Sequence, residues 1–138
     1  YPDLKTEFRS ERCNHCSNPT CVTLCPTGAS HLWKDTNIVL VEPEKCTGCK
    51  ACIAACPYDA IFINPEDHSA EKCNFCAERL AKGMLPACVE TCQKQGNSAL
   101  VFVDLADPNS EVAQLLETAY TIRRKPGLGT QPHVFYIV

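Results

Sequence analysis

The stretch Cys46-Thr47-Gly48-Cys49-Lys50-Ala51-Cys52-Ile53-Ala54-Ala55-Cys56-Pro57 decides how this chain is read. Its spacing, C-x2-C-x2-C-x3-C, wraps three thiols around one short loop and places a fourth beyond it, with a proline whose fixed φ turns the chain away. Toward the N-terminus the pattern returns as Cys13, Cys16, Cys21 and Cys25, spaced C-x2-C-x4-C-x3-C and followed by Pro26. Cys25-Pro26-Thr27-Gly28-Ala29 matches Cys56-Pro57-Tyr58-Asp59-Ala60 in position. The two runs form an internal repeat of about thirty residues. Toward the C-terminus, Cys73, Cys76, Cys88 and Cys92 make a third group, C-x2-C-x11-C-x3-C.

These groups use all 12 cysteines of a 138-residue chain in which Leu, Ile, Val and Phe together number only 31. A conventional core built from so few apolar side chains is thin, so another agent must hold the loops together. No apolar run reaches the roughly 18 residues needed to cross a bilayer. The formal charge is −3, the pI about 5.8, and Lys and Arg are scattered, which argues against a nucleic-acid binder. The first residue is Tyr1, with neither a methionine nor a basic-then-apolar leader, and the expectation is a processed or incomplete chain.

Three readings compete for the cysteines. A disulfide scaffold suits an even count, but a bridge inside C-x2-C marks redox motifs rather than structural staples. Zinc takes four thiolates in a tetrahedron, usually as two close pairs separated by a longer span, and only the third group has that form. An iron–sulfur cube explains the rest. Three thiolates of one loop wrap three iron corners, and in bacterial two-cluster ferredoxins the fourth cysteine of the C-x2-C-x2-C-x3-C-P run ligates the other cluster. Applied to the repeat, that rule assigns Cys13, Cys16, Cys21 and Cys56 to one 4Fe-4S cluster and Cys46, Cys49, Cys52 and Cys25 to its neighbour.

The segments around the ligands read as an α+β, ferredoxin-like two-cluster unit with a C-terminal cysteine-containing extension. Residues 29–33 and 38–41 flank the polar turn Lys34-Asp35-Thr36-Asn37 as a hairpin, and residues 60–63 make another short strand. Residues 1–66 are expected to form the two-cluster domain and 67–138 the extension. In the extension, residues 77–81 have helical composition ended by Gly83, Pro86 opens a second helix carrying Cys88 and Cys92, and residues 99–103 look like a strand. Val112, Leu115, Leu116 and Ala119 recur at helical spacing behind a cap at Asn109 or Ser110. Arg123-Arg124-Lys125-Pro126-Gly127 reads as a flexible basic connection, and residues 134–138 as an edge strand.

No nucleophile–base arrangement is apparent. His15, His31, His68 and His133 are dispersed, and four cysteines per site leave His15 without a ligand role. Lys45, Lys50, Lys72 and Arg79 stand near the ligands, as candidates for tuning potentials or as solvated surface charges.

Three segments carry a family resemblance. They are Arg12-Cys13-Asn14-His15-Cys16 through Cys25-Pro26-Thr27-Gly28-Ala29, then Cys46 through Tyr58, and finally Lys72-Cys73-Asn74-Phe75-Cys76 with Pro86-Ala87-Cys88-Val89-Glu90-Thr91-Cys92. Together they resemble the electron-transfer subunits of molybdopterin oxidoreductases, the polysulfide, thiosulfate, tetrathionate and dimethyl sulfoxide reductases. The resemblance implies an electron carrier without a substrate site of its own, working between a molybdopterin catalytic subunit and a quinone-reactive membrane anchor subunit. It also implies a membrane-associated location through those partners, on the periplasmic face in preference to the cytoplasmic one. Family members carry four cysteine runs, and the earliest, a C-x2-C-x2-C-x3-C run, is absent here. The resemblance then implies that Cys73, Cys76 and Cys88 share ligands with a missing segment, unless they close a third site with Cys92, holding a rearranged cubane or zinc. A soluble polyferredoxin and a zinc-stapled interaction module are the rival functions.

Overall fold

Each of the two proline-ended cysteine runs folds as a loop, a short helix and a β-hairpin, in a computed structural model that describes residues 6, 8–96 and 98–138. In the first, the loop leads into α1 (Thr20–Thr23) and then β1 (Ser30–Leu32) and β2 (Val39–Val41), which pair antiparallel with Ser30 opposite Val41. In the second, α2 (Ala51–Ala55) precedes β3 (Phe62–Ile63) and β4 (Ala70–Glu71), paired with Ile63 opposite Ala70. The architecture is α+β, and its first half repeats as the sequence does.

The repeat folds this way for local reasons. Lys34 has a positive φ of 48° in the turn after β1, and Thr36 accepts the Ile38 N–H on its hydroxyl, so a short polar segment reverses the chain. Around the second hairpin His68 takes a φ of 61°, and the Asp67 carboxylate accepts both the Ser69 N–H and hydroxyl. Between the hairpins α1 and α2 pack together, with the Thr20 hydroxyl donating to the Ala55 carbonyl at 2.9 Å. The buried core is correspondingly small: Cys21, Val39, Cys52, Ile61 and Ala70. Two of its five members are cysteines. The thin apolar inventory therefore places the cysteine sulfurs where aliphatic side chains would ordinarily pack.

The extension holds α3 (Ala77–Leu80), α4 (Ala87–Lys94) and α5 (Glu111–Thr118), followed by β5 (Thr121–Ile122) and β6 (Tyr136–Ile137) as a third antiparallel pair. Pro86 is the N-cap of α4, and the Ser110 hydroxyl accepts the Ala113 N–H to cap α5. Two expectations need correction. Residues 99–103 form no strand; Phe102 instead packs edge-to-face on Phe75, ring centroids 5.4 Å apart, and no ladder forms there. The basic connection is not a loose linker. Arg124 pairs with Glu11 at 2.9 Å, Lys125 donates to the Pro57 carbonyl, and Pro126–Leu128 form a 3-10 turn.

Beyond that turn, the chain lies along the first cysteine loop. The Ser17 and Asn18 N–H groups donate to the carbonyls of Gln131 and Thr130, and the His133 N–H donates to that of Asn14. Among the described residues no helix is long and apolar enough to cross a membrane.

Candidate functional site

Three C-x2-C loops share one backbone feature. The residue just before the second cysteine is left-handed in each: His15 at φ 43°, Gly48 at 66° and Phe75 at 52°. That conformation turns the chain sharply between the paired cysteines, at a cost of about 1–2 kcal/mol for a residue with a Cβ. Glycine is required only in the second loop, where a Cβ on Gly48 would stand 2.8 Å from the His68 carbonyl oxygen. His15 and Phe75 occupy their strained positions while stacked on each other, ring centroids 3.7 Å apart at 23°.

Each third cysteine then sits at the second position of a helix: Cys21 in α1, Cys52 in α2 and Cys88 in α4. One helical turn advances the chain by about 5.4 Å, so the fourth cysteine is carried past its own loop. Cys56 caps α2 in extended conformation and Pro57 follows; Cys25 lies just past α1 and Pro26 follows. Cys92 differs, because α4 runs on through it to Lys94.

The consequence is two matched sulfur-lined cavities. One is lined by Cys13, Cys16, Cys21 and Cys56, with Asn14, Val39, Tyr58 and Ile61 among its walls. The other is lined by Cys46, Cys49, Cys52 and Cys25, with Ser30, Val41, Lys50 and Ala70. In both, three cysteines of one loop meet the fourth cysteine of the other. Neither cavity includes Cys73, Cys76, Cys88 or Cys92. In that third group the Cys76 sulfur accepts the Ala87 N–H at 3.5 Å, which sets the loop against the start of α4, and Arg12 donates to the Cys88 sulfur at 3.3 Å.

The donor set suits a cluster better than an ion. Four thiolates around zinc must close to about 2.3 Å from one point. Among the described residues no three His, Cys, Asp or Glu side chains converge on a single-ion position. Four separate sulfurs around an open cavity are what a many-atom group requires. Backbone dipoles also point at the sulfurs: Ser30 N–H to Cys25 at 3.4 Å and Ala70 N–H to Cys46 at 3.2 Å. Such bonds favour thiolate. At Cys25 burial raises the thiol pKa, but the Ser30 amide and the Thr27 hydroxyl outweigh it and the value falls below the ordinary one. Burial pushes Cys13, Cys16, Cys21 and Cys52 up. Lys72 opposes that rise at Cys13 and Cys21.

His15 lines neither cavity. Its Nδ1 accepts the Val39 N–H at 3.0 Å, its ring is fully buried on Phe75, and burial with the Lys72 charge lowers its pKa to about 3. It is a neutral strut between the first loop, β2 and the third loop. Sequence reasoning missed the residues that tie the tail to the Cys13 loop and to Tyr58. His133 reaches Ser17 through Nε2 at 2.9 Å and the His15 carbonyl through Nδ1 at 2.6 Å, while Thr130 meets the Tyr58 hydroxyl. These are single polar residues without a spacing pattern, so no motif announces them.

Residues 4–101 match the family model described as a 4Fe-4S dicluster domain. This chain is a member of the 4Fe-4S dicluster family. Within it the sequence is similar to protein NrfC of Escherichia coli K12, 47% identical over 99% of this chain and 60% of that protein. It is similar also to a subunit of the tetrathionate reductase of Salmonella typhimurium, 47% identical over 91% of this chain and 49% of that protein. A component of the polysulfide reductase of Wolinella succinogenes is 42% identical over 97% of this chain and 69% of its own length. The chain thus spans about three fifths of the first of these relatives. Membership of the family makes 4Fe-4S clusters the cofactors of this fold.

Proposed function

We propose that this chain is an electron-transfer subunit, carrying single electrons between a quinone-reactive membrane anchor subunit and a molybdopterin catalytic subunit. The observation that carries the reading is the pair of neighbouring four-sulfur cavities whose fourth sulfurs are exchanged between loops. A 4Fe-4S cluster supplies one-electron storage with little rearrangement, at a potential set by net charge, hydrogen bonds to sulfur and solvent exposure. The residues act on each of those. Cys13, Cys16, Cys21 and Cys56 hold one centre, and Cys46, Cys49, Cys52 and Cys25 the other, in a ferredoxin-like arrangement. Val39, Ile61 and Tyr58 exclude water from the first, while Ser30 and Ala70 donate to sulfurs of the second. Cys73, Cys76 and Cys88 repeat the loop-and-helix geometry and belong to a further cluster site, completed by Cys92 or by a thiolate from another cysteine run.

The partners are proposed from what the relatives are: components of tetrathionate and polysulfide reductases. The chain itself lacks a substrate site in this reading and is membrane-associated through its partners. The test is anaerobic purification followed by iron, sulfide and zinc analysis. Four irons per four thiolates predicts a brown protein with about eight irons per chain in the two cavities, and more if the third group is filled. A colourless protein with zinc, or one whose cysteines are disulfide-bonded, contradicts the reading. Co-purification with a molybdopterin subunit supports the partner assignment, and native material that elutes only as a free chain contradicts it.

A further inference from the structure

Besides Arg12, which donates to the Cys88 sulfur, four cations stand near the cysteines, and the fold treats them differently. Lys45 is paired with Glu42 at 2.7 Å, and Arg79 is bound to Glu90, which also holds Lys94 at 2.8 Å. Lys50 lines the rim of the second cavity but is exposed to water, where its field is screened. Lys72 is half-buried, and its ammonium donates to two main-chain carbonyls, those of Val39 and of Cys73, the latter at 3.1 Å. Among the described residues it meets no carboxylate.

That location is specific. Val39 is 1% exposed, lines the first cavity, and has both its backbone polar groups engaged: its N–H by His15 and its carbonyl by Lys72. Lys72 thus stands directly behind the wall of the first cavity, between it and the third cysteine group. Its charge is felt at Cys13, Cys21 and His15. A half-buried ammonium without a carboxylate partner is costly unless negative charge lies close by. The first cavity supplies that charge once its four thiolates hold a cluster.

We infer that Lys72 sets the potential of the centre held by Cys13, Cys16, Cys21 and Cys56 above the value it would otherwise have, distinguishing it from its neighbour. The inference rests on the electron-transfer reading above. The sign follows from electrostatics: reduction adds one negative charge to the centre, and a fixed cation in a poorly screened wall favours the more negative state. The neighbouring centre has no half-buried cation behind its wall among the described residues. It has the two amide donors instead. Lys72 acts here as a positioning and tuning residue, not as a ligand.

The test is an EPR-monitored redox titration of the full chain, purified anaerobically with its clusters, as wild type, Lys72→Met, Lys72→Gln and Lys72→Arg. The wave displaced by Cys13→Ser identifies the first centre. Lys72→Met and Lys72→Gln should each lower that wave by a tenfold change in the reduction equilibrium, about 59 mV for one electron. The wave of the centre held by Cys46, Cys49, Cys52 and Cys25, identified by Cys46→Ser, should move less, and Lys72→Arg should stay near wild type. An unmoved first wave, equal movement of both waves, or the same displacement in Lys72→Arg overturns the inference. Loss of the first centre's iron in the neutral variants makes Lys72 a brace rather than a tuning charge, and overturns it also. A wild-type chain without two cluster waves overturns the electron-transfer reading itself, a result recognisable before any variant is measured.

Discussion

The two cavities are alike in size and in their four sulfurs, and unlike in what encloses them. The first has two buried sulfurs, Cys13 and Cys21, is walled by Tyr58 and Ile61, and has the returning tail along its loop. The second has one buried sulfur, Cys52, and an exposed one, Cys49, and takes amide donors from β1 and β4. The repeat supplies the chemistry twice, and the unrepeated remainder of the chain makes the two copies inequivalent. For a carrier, inequivalence is the useful part, because two centres at different potentials give an electron a preferred residence.

The sharpest way to break the comparison is to remove a shared sulfur. Cys56→Ala should abolish the centre gripped by the Cys13 loop and leave the one gripped by its own loop, a loss of about four irons, read by iron analysis and EPR. If the Cys46 loop empties instead, each run ligates its own cluster and the exchange is wrong.

Next in size is Gly48→Ala. The new methyl meets the His68 carbonyl at 2.8 Å and sits at a positive φ, whereas at Gly28, also left-handed, nothing lies within 4 Å of an added Cβ. Gly28→Ala should cost about 1–2 kcal/mol of strain alone, and Gly48→Ala clearly more, with preferential loss of the second centre. Thermal unfolding and iron retention, measured in parallel, check both.

His133→Ala probes the tail that lies along the Cys13 loop. It deletes two hydrogen bonds, to Ser17 and to the His15 carbonyl, at about 0.5–1.5 kcal/mol each. Iron should leave the first centre faster under a chelator while the second is unaffected. Tyr58→Phe is the mildest change. It removes the hydroxyl contact with Thr130 and a long one, at 3.5 Å, to the Arg124 carbonyl, together about 0.5–1.5 kcal/mol, and iron release should accelerate less than in His133→Ala.

Much of this was legible because ligand spacing is a local property. Cysteine spacing determines loop curvature, the loops determine where α1 and α2 begin, and the polar turn at 34–37 determines the first hairpin. The cap at Ser110 and the helix after Pro86 were readable for the same reason. Residues 99–103 misled because apolar, partly β-branched composition says nothing about whether a free sheet edge is available to pair with; the structure spends Phe102 on an aromatic contact and leaves Val101 exposed. The tail was illegible for a different reason. Its contacts with residues 14–18 span more than a hundred positions and use main-chain atoms, Thr130 and His133, none of which carries periodicity. His15 was readable only as a poor ligand, and its role as a strut depends on Val39 and Phe75, which no spacing links to it.

The exchange of fourth sulfurs is tested most directly by diffraction at the iron absorption edge on anaerobically grown crystals of the protein. The account predicts one four-iron peak bonded to Cys13, Cys16, Cys21 and Cys56, and a second bonded to Cys46, Cys49, Cys52 and Cys25. Anomalous density joining Cys25 to the iron of Cys13, or Cys56 to that of Cys46, contradicts it.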